Sequence, residues 1–161
     1  MNNKAITKRE AERLLNILTN PSFGYSKCSA ATQIKLVRTQ ILLEPVAEEV
    51  RKALKTAQEK YLKPEMVPLI EKLQQDNTLK GDDARVWSEL YPVYEKMVSE
   101  TVEPVFNTSI AAKLDRLTLG ELEEVLESNK EWMTGDIPKF LLLNLVDDIF
   151  PGPVEDHQRP E

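Results

Sequence analysis

One cysteine, one histidine and five glycines are all that 161 residues contain of the types that most often build reaction centres. Cys28 stands alone, which excludes an internal disulfide and points to a reducing compartment. Gly24, Gly81, Gly120, Gly135 and Gly152 are scattered, and neither glycine-rich pattern that cradles phosphate occurs. There is no HExxH helix, no CxxC pair and no EF-hand spacing, so no metal and no cofactor is expected. His157 lies in a proline-rich stretch near the C-terminus, whereas a general base needs a fixed environment. A basic surplus is missing as well. Lysine and arginine number 21 against 27 acidic residues, a net charge of −6, which disfavours a nucleic-acid partner.

Long apolar runs are absent too. The densest segment, Ile137 to Phe150, is interrupted by Lys139, Asn144, Asp147 and Asp148 and is too short to span a bilayer. The first residues, MNNKAITKREAERLL, lack the apolar core of a signal peptide. A cytoplasmic protein with no membrane partner is the expectation. With 41% apolar and 30% charged residues, the composition fits a single folded domain over 1–150, followed by a disordered tail over 151–161.

What the chain has in abundance is helical periodicity. Thr7 with Glu10 reads as a capping box, and Leu14, Leu15, Ile17 and Leu18 follow as a short helix ending near Thr19. Asn20 to Ser26 reads as a loop, with Phe23 and Tyr25 pinning it. A second helix runs from Ser29 to Leu62, about 50 Å if continuous at 1.5 Å per residue. Ala30, Ile34, Val37 and Ile41 form one apolar stripe; Leu43, Val46, Val50, Ala53 and Ala57 form another. Pro45 between them predicts a kink or a break. Glu48 before Lys52, Lys55 before Glu59 and Glu59 before Lys63 suit a solvated helix face.

Pro68 opens a third helix with Met66, Leu69, Ile70 and Leu73 inward, and 76–81 reads as a turn. Asp82 or Asp83 then caps a fourth helix whose inward side is Trp87, Leu90, Tyr91, Tyr94, Met97 and Val98, bent by Pro92 and folded back along the second. Thr101 to Leu117 is expected to be extended or a short hairpin, with Pro104 on an edge. Thr118 and Glu121 form a second capping box before Leu119, Leu122, Val125 and Leu126. A last helix is expected over Phe140 to Phe150. The fold expected is mostly α: a long antiparallel helical hairpin, shorter covering helices and one possible short β segment.

No catalytic constellation emerges. Cys28 precedes a helix start but has no histidine within the folded body, so a small side chain at a loop end is the plainer reading. Asp82-Asp83 and Asp147-Asp148 are adjacent carboxylates that point apart on a helix. Lys8, Arg9 and Arg13, with Lys35 and Arg38, form small basic clusters, and Glu121 to Glu127 an acidic one; solvated faces account for all of them. Trp87, Tyr91 and Tyr94 are the candidate partner-binding residues. Their stripe fits a core face, yet tryptophan and tyrosine also dominate interface hot spots.

The segments SAATQIKLVRTQILLEPVAEEVRKALKTAQEKYLK, VWSELYPVYEKMVSETVEPVF and KLDRLTLGELEEVL come in an order that resembles a family of short helical proteins of tailed phages and prophages. The likeness covers roughly 5–126. Pro45, Pro92, Pro104 and the helix and tail after Ser128 depart from that pattern. The family has no assigned activity or catalytic residues. The resemblance implies a phage accessory protein that binds a host or phage protein, as an assembly or virion-associated factor or as an inhibitor. A homo-oligomeric structural protein, joined through Val46, Val50, Ala53 and Ala57, is the alternative, and an enzyme is not expected.

Overall fold

A computed structural model describes residues 5–146, and the chain there is mostly α-helical with no named strand. Six helices follow in order: α1 (Lys8–Leu18), α2 (Ala30–Tyr61), α3 (Val67–Asp76), α4 (Gly81–Phe106), α5 (Leu119–Ser128) and α6 (Ile137–Leu145), with a 3-10 turn at Pro64–Met66. The expected tail, the last residues of the expected final helix, Asp147, Asp148 and His157 lie outside the described residues.

Both capping boxes form. Thr7 accepts from the Glu10 amide while Glu10 bonds back to the Thr7 amide, and Thr118 and Glu121 do the same for α5. Each cap satisfies amides that the first helical turn leaves without partners. The cap expected from Asp82 or Asp83 does not: Lys80 occupies that position and gives no side-chain bond. Those two aspartates sit in the first turn instead, where a carboxylate still suits the helix dipole.

The principal core lies between α1, the first half of α2, α5, α6 and the irregular chain before α5. Leu14, Leu15, Leu36, Leu43, Val125 and Leu141 are its deepest side chains. The inward face of α2 carries Thr32, Leu36, Thr39, Leu43, Ala47 and Val50. The stripe expected there turns outward: Ile34 is 53% exposed, Ile41 67%, and Val37 is exposed too. This half of α2 carries apolar side chains on opposite faces, and periodicity alone gives both equal claim. Its neighbours decide: Thr32 and Thr39 are buried, and the Thr32 hydroxyl donates to Glu124.

None of the three prolines inside the long helices interrupts them. α2 passes through Pro45, and α4 passes through Pro92 and Pro104. Pro45 leaves the Ile41 carbonyl without its amide, and that residue is open to water, which can take the bond. Residues 101–106, expected to be extended, are the end of α4. Val102 is buried against Ala57, and that tertiary contact outweighs the preference of Val102 and Val105 for strands. The Thr108 hydroxyl and the Asn107 amide then bond back onto Pro104 and Glu103 to close the helix. In place of a β segment there are two single bridges, Thr7 with Ser109 and Leu117 with Val146.

The second half of α2 leaves the principal core and pairs with α4. Tyr61 meets the Thr101 hydroxyl at 3.1 Å, while Ala53, two turns earlier, borders a groove with Val105, so the helices run in opposite directions. Only Ala57, Val98 and Val102 are fully buried in this seam, flanked by Leu54, Tyr61, Tyr94 and Phe106. The result is a body with a dense core and an arm with a thin one.

Candidate functional site

The three aromatic candidates sit on the arm, on the α4 face that continues the line of Val98 and Val102. Trp87 and Tyr91 are one turn apart and stack with ring centres 4.9 Å apart at 18°, and Tyr91 tilts against Tyr94 at 6.2 Å. Tyr94 reaches the seam with α2. Of the six residues expected to form the inward side of this helix, only Val98 is fully buried. Trp87, Leu90 and Tyr94 are half-buried, and Tyr91 and Met97 are exposed. α4 continues past the end of its seam with α2, and α3 meets its first turn through the Lys72–Asp83 pair. Val93, 55% exposed, adds an apolar side chain on the outer flank.

The basic clusters are spent within the chain. Lys8 pairs with Glu49, Arg9 with Glu103, Arg13 with Asp136, Lys35 with Glu121 and Arg38 with Asp115. The Arg13 guanidinium also lies 4.3 Å from the centre of the Phe140 ring, and Arg9 5.1 Å from that of Phe106. A cation already bonded to a carboxylate has little left for a phosphate.

The acidic run of α5 is likewise not the solvated face its pattern suggests. Glu124 accepts from the Ser29 amide and the Thr32 hydroxyl, both at 2.9 Å, so a residue of α5 completes the first turn of α2. The bond from the Ser29 amide, with the one from the Thr32 hydroxyl, holds the Glu124 carboxyl below its ordinary value. Partial burial would raise Glu121, but bonds from Lys35 and the Thr118 amide outweigh it and lower that carboxyl too. Glu123 and Glu127 remain exposed.

Cys28 is buried, with its sulfur 3.7 Å from the Ser128 hydroxyl. Among the described residues no three histidine, cysteine or acidic side chains gather closely enough to hold a metal ion. No described helix is long and apolar enough to cross a membrane.

Two surfaces escaped the sequence reading. One is the outward row Ile34, Val37 and Ile41 on α2. The other is a groove of about 420 Å³ along the α2–α4 seam, floored by Ala53, Ala57, Val102 and Val105. Small residues at an i,i+4 step on α2 were a signal for the groove, but only the pairing partner shows that α4 forms its other wall. Comparison with protein-family models, with curated proteins and with solved structures yields no match for this chain.

Proposed function

We propose that this is a non-catalytic protein-binding protein, an accessory factor of the phage or prophage kind that acts in the host cytoplasm. Its partner is a host or phage protein, engaged through the arm. The observation that carries this reading is the Trp87–Tyr91 stack, with ring centres 4.9 Å apart, Trp87 half-buried and Tyr91 exposed. Rigid, partly exposed aromatic groups lose little freedom on docking and bury much surface. Crosslinking capture from the native host, with Tyr91→Ala and Trp87→Ala beside the unaltered chain, tests it. A specific partner should be lost in Tyr91→Ala while the melting temperature stays constant. Capture that survives both substitutions would overturn the reading.

Self-association is the second reading, through a surface other than the stripe first expected. Two members of the stripe first expected to join copies are buried within the chain, Val50 and, against Val98 and Val102, Ala57. The row Ile34, Val37 and Ile41 offers a replacement. Charges beside it are neutralised within the chain, Lys35 by Glu121, Arg38 by Asp115 and Glu44 by Arg51, so a second copy would meet no unbalanced charge. Molecular mass in solution across a concentration series tests it, and a constant monomer removes it.

A further inference from the structure

The α2–α4 seam is a helix pair with one side unfinished. Two helices bury a narrow strip between them, and here that strip has only three fully buried side chains. Beside it runs the open groove, whose floor is Ala53, Ala57, Val102 and Val105. Alanines on the floor keep the wall low, which allows a third helix to approach to ordinary packing distance of about 8–10 Å. On α4 the groove is walled by Thr101, Val102 and Val105, one turn of the helix facing Ala53 and Ala57.

The opposite rim is cationic. Lys52 and Lys60 both line the groove on α2, about 12 Å apart along the axis. Neither is paired with a carboxylate among the described residues. Glu48, the sequence-expected partner of Lys52, turns to Arg51 at 3.8 Å. Lys60 rests against the Tyr61 ring, 5.1 Å from its centre. Glu49, also on the rim, is held by Lys8. The groove thus combines an apolar floor with two unneutralised positive charges on one side, in a chain whose other helix-flank cations are mostly paired.

We infer that this groove receives an acidic amphipathic helix of the partner protein. Its apolar face would lie on Ala53, Ala57, Val102 and Val105, and two carboxylates seven or eight residues apart would meet Lys52 and Lys60. This is the helix-in-groove mode of recognition, with charge setting the orientation. The inference rests on the protein-binding reading but not on the aromatic stack.

The test uses the full chain and a fluorescein-labelled synthetic helix bearing leucines along one face and two glutamates eight residues apart on its flank. A second peptide carries lysines in place of those glutamates. The acidic peptide should bind, and the basic one should bind at least about tenfold more weakly, at low salt. The double variant Lys52→Glu, Lys60→Glu should reverse that order, and Ala53→Trp should block both peptides with helicity unchanged. Equal binding of the two peptides, absent binding, or insensitivity to Ala53→Trp would each overturn the inference. So would a fall in the mass of the unaltered chain on Ala53→Trp, because the groove would then be an interface between copies. Partner capture that still depends on Tyr91 while the peptides fail would remove the groove and leave the wider reading standing. Failure of both would remove the two together.

Discussion

The side-chain amide of Asn129 grips both backbone groups of Gly24, donating to its carbonyl at 2.7 Å and accepting from its amide at 2.7 Å. The same side chain donates to the Val125 carbonyl at 2.8 Å and accepts from the Trp132 indole at 3.1 Å. One buried residue therefore ties the aromatic loop before α2 to the turn after α5, and every donor and acceptor it has is used.

Asn129→Ala should be among the most damaging single changes. It strips partners from several buried groups at once, and each such loss costs about 1–3 kcal/mol. Urea unfolding should show a loss of about 3 kcal/mol or more, with Asn129→Asp also impaired because it cannot donate to the Gly24 carbonyl. A loss below about 1 kcal/mol would show that the clasp is not built as described.

The two faces of α2 should separate cleanly under mutation. Leu43→Ala empties a fully buried site and should cost about 2–5 kcal/mol. Ile41→Glu touches an exposed site and should stay within about 0.5 kcal/mol in a dilute monomer. Thermal melts of both variants check the assignment, and the opposite order would restore the stripe expected from periodicity.

Stability should fall in acid before the ordinary carboxylate range is fully crossed. Glu121, Glu124 and Asp136 are all held below their usual values in the folded chain, Asp136 by Arg13. Their contribution is complete above the unfolded value, about 4 for carboxylates, and is lost as pH drops through the lowered folded values. Urea midpoints measured from pH 7 to pH 3 should therefore decline below about pH 4.5, and Glu124→Gln should shallow that decline. A flat profile would contradict it.

Overfilling the seam should loosen the arm without harming the body. Ala57→Leu adds volume where Val98 and Val102 already close in, a change that costs about 1–3 kcal/mol. Fluorescence of Trp87 and Trp132, each left as the only tryptophan in turn, separates the two regions. The Trp87 signal should change at lower denaturant than that of Trp132.

Local rules carried the reading of the sequence far. Thr7 with Glu10 and Thr118 with Glu121 marked two helix starts because a capping box is complete within four residues. The mostly helical class followed from long runs without glycine, and the second apolar stripe of α2 is buried as expected at Leu43, Val50 and Ala57. What failed was decided at a distance. Ile34 and Ile41 face water because α1 and α5 settle on the other side of the helix. Pro104 lies in a helix because Val102 found Ala57, more than forty positions earlier. Glu124 is a latch only because Ser29 stands opposite it. At the candidate site the aromatic triplet was legible by residue type, whereas its half-covered state depends on where α2 ends.

The slender seam between α2 and α4 has a consequence for motion. Amide protons along the distal stretch of α4 should trade with solvent through partial openings that leave Leu14, Leu36 and Leu141 undisturbed. The molecule is arranged as a firm handle carrying a yielding finger, and anything that clasps the finger would slow that exchange there first.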